Sequence, residues 1–324
     1  MKIHLVGDAA RQAPIFAAEL PGVAVAELPR DAAADPQFDQ AIGPDDVVVT
    51  MRFKRPGGAP PFRLLHVQGA GLDGIDLNAL RPGCTVCNVF EHEGPIAEYV
   101  LMQVLRWEIR PEAMRFTAES WGEAFRTRVP HGELEGRTLA IIGFGRIGRA
   151  VAKRARAFGV RVMTLDRSLD GEARALVDEA VPATDLKALL ARADYVLLSC
   201  PLTGKTEGLI GAAELAAMKP TGVLINISRA AIVHQQALYD ALSNKRIGGA
   251  VLDVWYRTPM GSDDNPTPAD LPFLDLPNAV CTAYSSAWTT ALPGRRFRFI
   301  AANIRRMIAG EKLLNVVWPT GAAA

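Results

Sequence analysis

Residues 138–167 read TLAIIGFGRIGRAVAKRARAFGVRVMTLDR. The four apolar residues 139–142 have the length and composition of a strand buried on both faces. Gly143-Phe144-Gly145-Arg146-Ile147-Gly148 follows as a G-x-G-x-x-G turn. Ile147, Val151, Ala152, Ala155 and Phe158 then recur at helical spacing, Gly159 ends the pattern, and 160–165 is a second β-rich run closed by Asp166. Each part has a physical reason in a strand–turn–helix that holds a dinucleotide. Gly143 permits the tight turn, Gly145 lets the backbone approach a pyrophosphate that a Cβ would strike, and Gly148 lets helix and strand pack closely. The helix N-terminus, with Arg146 and Ile147 as cofactor-site candidates, presents backbone N–H groups and the positive end of the helix dipole to the phosphates. Asp166, eighteen residues past Gly148, is placed to accept hydrogen bonds from a ribose diol and to repel a 2′-phosphate. NAD is therefore favoured over NADP, a preference that Arg167 moderates.

The rest of the composition bounds the answer. A chain of 324 residues fits two domains or one large one. Its 49% hydrophobic and 22% charged residues suit a globular protein with a substantial core. A net charge of +1 gives no reason to expect nucleic acid or an anionic membrane as partner. No apolar run reaches transmembrane length, and the opening MKIHLVGD lacks a secretory signal pattern, so a cytoplasmic location is expected. Cys84 and Cys87 are spaced C-x-x-C, but Cys87 belongs to a strand-like run and no second pair or histidine cluster completes a zinc site. With Cys200 and Cys281 they are expected to be reduced, mostly buried thiols, and no metal is expected.

Strand and helix signals alternate before and after the glycine turn, which implies parallel strands with helical crossovers. Runs at 3–6, 23–27, 47–50, 64–67 and 85–89 read as strands, and 13–20 as a short helix. A helix is expected over 95–107 and another around 112–119. Beyond 138 the expected order is a helix at 185–191 capped by Thr184, a strand at 195–199, a helix at 212–219, a strand at 222–227, a helix at 234–244, and strands at 249–253 and 279–282. The helix expected over 295–308 carries Arg295, Arg296, Arg298, Arg305 and Arg306, most simply a solvated face.

Ligands of open α/β sheets gather beyond the carboxyl ends of the strands. Gly69, Gly71 and Gly74 follow the 64–67 run, so QGAGLDGID is a candidate anion cradle of backbone N–H groups. In the second half the strand ends offer Asn226, Ser228, Arg229, Asp253, Thr258 and Tyr284. Arg229 follows a largely apolar run, and a guanidinium is the natural bidentate clamp for a carboxylate. Arg52, after the 47–50 run, is a second cation for an acidic substrate. His92, in the turn Glu91-His92-Glu93, is a candidate proton donor, although a solvent-facing turn histidine is the plainer reading. Trp255 and Trp288 are possible pocket walls; His4, His66, His131 and His234 read as structural.

These stretches together resemble the D-isomer-specific 2-hydroxyacid dehydrogenases. The resemblance covers essentially the whole chain and rests on GAGLDGIDL (69–77), VCNVFEHEGPIAEYVL (86–101), LAIIGFGRIGRAVA (139–152), CPLTGKTEGLI (200–210), MKPTGVLINISRAAIV (218–233) and GGAVLDVW (248–255). It implies a two-domain α/β protein: a flavodoxin-like substrate domain from residues 1–97 and 289–324, with a doubly wound Rossmann NAD-binding domain, 98–288, inserted in it. It implies an NAD-dependent oxidoreductase for a small 2-hydroxy or 2-oxo acid, and a homodimer. Carried over by position, the acid group meets the backbone of Ala70, Gly71 and Leu72 and the side chain of Arg229. The cofactor site takes in the glycine turn, Asp166, Cys200, Pro201, Thr206, Ile227, Ser228 and Asp253, with Arg149 and Thr203 as weaker candidates.

Three departures from the family pattern bear on catalysis. The family's N-x-x-R-G is here Asn226-Ile227-Ser228-Arg229-Ala230. The glutamate usually found just before a proline is Thr258, and the histidine of T-P-H is Tyr284. Tyrosine stays protonated at neutral pH and can donate a proton to a developing alkoxide, so Tyr284 is the candidate donor. A catalytically silent NAD-binding regulator, or altered chemistry on the same scaffold, would carry the same substitutions.

Overall fold

Short β-branched runs and amphipathic helices alternate along the chain, and the runs pair into two separate sheets. The structure, a computed structural model, describes residues 1–166, 169–259 and 264–319. In chain order the strands are β1 (Lys2–Val6), β2 (Ala24–Leu28), β3 (Val47–Thr50), β4 (Leu64–Val67), β5 (Thr85–Cys87), β6 (Thr138–Ile142), β7 (Arg161–Asp166), β8 (Glu179–Pro182), β9 (Tyr195–Leu198), β10 (Val223–Asn226), β11 (Gly249–Leu252), β12 (Ala279–Cys281) and β13 (Val316–Trp318). The helices are α1 (Ala13–Glu19), α2 (Glu93–Ile109), α3 (Trp121–Thr127), α4 (Arg146–Arg156), α5 (Gly171–Ala175), α6 (Leu186–Arg192), α7 (Ala212–Ala217), α8 (Gln235–Ser243) and α9 (Leu292–Ile308). The chain divides into Met1–Glu91 with the described residues from Thr289 on, and His92–Trp288. The first break precedes the expected one because α2 starts at Glu93 and packs along α4, which puts the whole helix in the second unit.

The first unit has the sheet order β13-β5-β4-β3-β1-β2. Five strands are parallel in the doubly wound order 2-1-3-4-5, and β13 closes one edge antiparallel to β5. Phe16 of α1 and Phe297, Ile300, Ile304 and Met307 of α9 pack on one face. Val48, Leu65, Phe53 and Phe62 belong to the other cluster. Cys87 joins the first cluster and Cys84 the second, so the C-x-x-C pair is divided between two cores. Burial pushes the Cys84 thiol up to about 11 and Cys87 to about 12.

The α9 arginines are not a merely solvated face. Arg296 Nε donates to Phe90 O (3.0 Å) and Arg295 to Glu91 O (3.1 Å). Arg305 reaches the carbonyl and carboxylate of Glu19, and Arg306 donates to Lys312 O (2.7 Å). Loop carbonyls, and for Arg305 the C-terminal residue of α1, supply the acceptors, which sequence spacing does not display.

The second unit is wholly parallel, with order β12-β11-β10-β9-β6-β7-β8. Its first six strands run 3-2-1-4-5-6 in their own order, and the switch point lies between β6 and β9. Two clusters cover the faces, one centred on Ala140, Leu189, Leu198 and Leu224, the other on Ile141, Val151, Leu197 and Ile225.

Two local expectations fail. The helix expected at 112–119 is a single turn, Pro111–Met114, after Arg110 turns left-handed (φ 53°) to end α2. The next helix is α3, whose N-cap is Ser120. Thr184 does not cap α6; Asp185 holds the N-cap position and Thr184 donates to its carboxylate (3.1 Å).

Candidate functional site

At the switch point the three glycines meet three different surroundings. Gly143 has φ +99°, and a Cβ there would lie 2.4 Å from the Cys200 amide nitrogen. Ser199 Oγ donates to Gly143 O (2.7 Å), so the ends of β6 and β9 are joined where the crevice opens. A Cβ on Gly148 would lie 2.5 Å from Gly143 O, which is the close approach of helix to strand. Among the described residues a Cβ on Gly145 would meet no atom within 4 Å. Space is kept there for something outside the chain, at the N-terminal end of α4, which begins at Arg146. These surroundings fit a dinucleotide pyrophosphate.

Asp166 ends β7 with an exposed carboxylate, and Arg174 lies 3.3 Å from it. Arg167 lies outside the described residues. Arg149 is taken up by Asp170, at 3.1 and 2.6 Å. Arg146 stands 3.6 Å from Glu93. Beyond β9, the Thr206 hydroxyl donates to Pro201 O (2.7 Å) and accepts from the Thr203 N–H (2.8 Å), so it shapes the 201–206 loop. Ser228 Oγ donates to Cys200 O and ties that loop to the end of β10.

Arg229 is presented by Asn226, whose side chain is 2% exposed at the end of β10. Asn226 Oδ1 accepts from the Ser228 N–H (3.1 Å), and its Nδ2 donates to Arg229 O (3.0 Å). The turn is fixed by a buried amide while the guanidinium stays exposed, with one donor on Ser228 O (3.0 Å).

Asp253, at the end of β11, organises the opposite wall. Its Oδ1 accepts from Thr282 Oγ1 (2.5 Å) and the Ser285 N–H (2.7 Å), and its Oδ2 from the Ser286 N–H (2.9 Å). Tyr99 of α2 bonds Thr282 Oγ1 at 2.6 Å, and burial pushes the Tyr99 phenol up. Tyr284 sits inside this loop with φ +52°, a left-handed conformation costly for a side chain of its size. Its hydroxyl accepts from the Trp255 N–H (3.2 Å) and donates to Trp255 O (3.3 Å). Among the described residues no hydrogen bond joins Thr258 to Tyr284. The sequence reading missed that Asp253 shapes the Tyr284 loop; the neighbouring serines were the available signal.

In the first unit the 69–74 turn follows β4. Asn88 Nδ2 donates to Ala70 O (2.9 Å), and a Cβ on Gly74 would lie 2.6 Å from Met51 O. Among the described residues the amides of Ala70, Gly71 and Leu72 donate to no backbone carbonyl, as a cradle for an anion requires. Arg52 is exposed, on a turn held by Thr50 Oγ1 (3.2 Å to the Arg52 N–H). His92 is buried at the head of α2, where its carbonyl accepts from Ile96, and not on a solvent-facing turn as the sequence suggested.

Comparison with known proteins gives one consistent result. Residues 99–286 match the family described as "D-isomer specific 2-hydroxyacid dehydrogenase, NAD binding domain". A glyoxylate reductase of Korarchaeum cryptofilum is 36% identical over 268 residues, covering 80% of this chain and 77% of that one. A D-3-phosphoglycerate dehydrogenase of Methanocaldococcus jannaschii is 32% identical over 261 residues; the match takes in 80% of this chain but only 48% of the relative, about half its length. Among solved structures, a D-isomer specific 2-hydroxyacid dehydrogenase family protein from Aeromonas salmonicida superposes with a TM-score of 0.74 at 25% identity, covering 97% of both chains.

Proposed function

Since the chain belongs to the D-isomer specific 2-hydroxyacid dehydrogenase family, we propose that it is an NAD-dependent oxidoreductase interconverting a small 2-oxo acid and its 2-hydroxy acid. NAD, when bound, supplies or takes up the hydride at C2 of the substrate. The observation that carries the reading is the pairing of an open Gly145 with an exposed Arg229, both beyond the carboxyl ends of strands in one parallel sheet.

Arg229 grips the substrate carboxylate and polarises the adjacent carbonyl; its turn is locked by Asn226, so little rotational freedom is lost on binding. The Tyr284 hydroxyl supplies the proton in the reductive direction. It accepts from the Trp255 N–H, which draws charge onto the oxygen and strengthens it as a donor. Its own proton rests on a 3.3 Å contact to Trp255 O, long enough to be given up to a better acceptor. Thr258 is assigned no part in proton transfer. Ala70, Gly71, Leu72 and Arg52 remain the first unit's candidates for the acid group, and His92 the alternative donor.

The second reading, an NAD-binding protein without turnover, draws on the same observation that the Tyr284 hydroxyl is engaged on both sides by Trp255. One assay separates them: NADH oxidation against a panel of 2-oxo acids beginning with glyoxylate, for the wild type and for Tyr284→Phe. Turnover that falls about 10²–10⁴-fold in Tyr284→Phe supports the dehydrogenase with this donor. NADH binding with no turnover on any acid supports the silent reading.

A homodimer is part of the proposal. Trp121 packs against both Phe116 and Phe125 with tilted rings (centroids 5.0 and 5.6 Å apart), all three are more than half exposed, and Met114 and Val129 are exposed nearby. A contiguous aromatic patch of this kind is uncommon on a monomer. Sedimentation velocity should give twice the chain mass, and Trp121→Glu with Phe125→Glu should give one.

A further inference from the structure

We propose that Arg174 lets this protein accept NADP(H) as well as NAD(H), by exchanging its ion pair with Asp166 for one with a 2′-phosphate. The inference rests on the dinucleotide site proposed above. An acid at the end of the second strand selects against the phosphorylated cofactor only while its charge stands alone; an arginine nearby is what accommodates the phosphate. Here the acid does not stand alone. Arg174 NH2 lies 3.3 Å from Asp166 Oδ2, with both side chains about half exposed, at 55% and 43%.

The backbone beneath Arg174 is held firmly while its side chain is not. Asp170 caps α5 by accepting from the Ala173 N–H (2.8 Å), and the Arg174 N–H donates to Asp170 O (2.9 Å). Arg149 grips the same carboxylate with two donors and holds its pKa below the ordinary value, and that carboxylate also caps α5. Arg149 is thereby committed to Asp170 and near Glu172 (3.9 Å). Among the described residues the Arg174 side chain makes one exposed ion pair, and such pairs contribute little, so turning the guanidinium from carboxylate to phosphate costs little. A phosphate dianion offers it a stronger, bidentate partner. The pair therefore works both ways: Asp166 for a ribose diol, Arg174 for the phosphorylated ribose.

The test is equilibrium titration of NADH and NADPH fluorescence against the wild type, Arg174→Ala and Asp166→Ala, with turnover measured alongside. The wild type is expected to bind both cofactors. Arg174→Ala should weaken NADPH by about tenfold and leave NADH nearly unchanged or tighter, the size of one charge-assisted contact. Asp166→Ala should weaken NADH and tighten NADPH. NADH binding with none of NADPH, or an Arg174→Ala loss equal for both cofactors, overturns the inference and leaves the dehydrogenase reading standing. No binding of either cofactor by the wild type overturns both.

Discussion

Arg229, the proposed substrate clamp, illustrates how an exposed side chain depends on a buried neighbour. Asn226 uses its carbonyl and its amide nitrogen to close the Ile227–Ser228 turn, so the guanidinium projects from a rigid base. Arg229→Ala is expected to lower kcat/KM roughly 30- to 3000-fold, the range for removing one partner of a desolvated charge pair. Asn226→Ala leaves the guanidinium in place but releases the turn; two lost hydrogen bonds, about 1–3 kcal/mol, should appear mainly as a raised KM with NADH affinity kept. Steady-state kinetics with the titration used for the cofactor distinguishes them, and an Asn226→Ala enzyme of unchanged KM would mean that the clamp is idle. Arg229 was legible in the sequence because a lone cation after an apolar strand stands out. The clamp was not, since an asparagine at a strand end looks like any turn residue until its two partners are seen.

At the scale of elements, the glycine turn separates space from strain. Gly145→Ala should fold with nearly unchanged Tm, since its Cβ meets nothing, yet weaken NADH at least tenfold by occupying the pyrophosphate's place. Gly148→Ala should do the opposite first, lowering Tm because its Cβ would lie 2.5 Å from Gly143 O. Thermal melts and NADH titrations of both variants check this; equal loss of binding and stability in the two would remove the distinction. A second element shows how charge enters stability. The Asp46 carboxylate gathers the Lys2 N–H (2.7 Å), His4 Nε2 (2.9 Å) and the Gly43 N–H (2.9 Å), tying the start of β1 to the turn before β3. Partial burial works against the charge, but these bonds prevail and hold the group below its ordinary value of 3.8. A carboxyl lowered on folding stabilises the native state above its unfolded value, and that stability is lost as pH falls through the folded one. Acid titration of the wild type should therefore show a loss below about pH 3.8 that is reduced in Asp46→Asn, followed by circular dichroism. Strands with unbroken apolar runs were read from the sequence almost to the residue. The edge strands β8 and β13 were not, because one ends in Pro182 and the other is three residues pairing across more than two hundred positions. Ser120-x-x-Glu123, a capping-box spacing, was the overlooked signal for α3.

At the scale of the whole molecule, the first unit is assembled from both ends of the chain while the second is continuous. That asymmetry was visible only through the family resemblance, because pairing β13 with β5 leaves no mark on local periodicity. It has a mechanical consequence. The segment from Thr289 on supplies the first unit with Leu292, Phe297, Ile300, Ile304 and Met307, all buried, and with β13 at the sheet edge. Burying five such side chains is worth on the order of 7–15 kcal/mol, an upper bound that already matches the whole stability of an ordinary domain, about 5–15 kcal/mol. A chain ending at Trp288 should therefore lose the folded first unit, with digestion by a protease confined to residues before 92. The second unit keeps its seven strands, both of its apolar clusters and its glycine turn within 92–288, so a fragment of those residues should fold and bind NADH. A 92–288 fragment that is unfolded by circular dichroism, or a chain ending at 288 that resists protease throughout, would show that the unit boundaries do not mark where the stability lies.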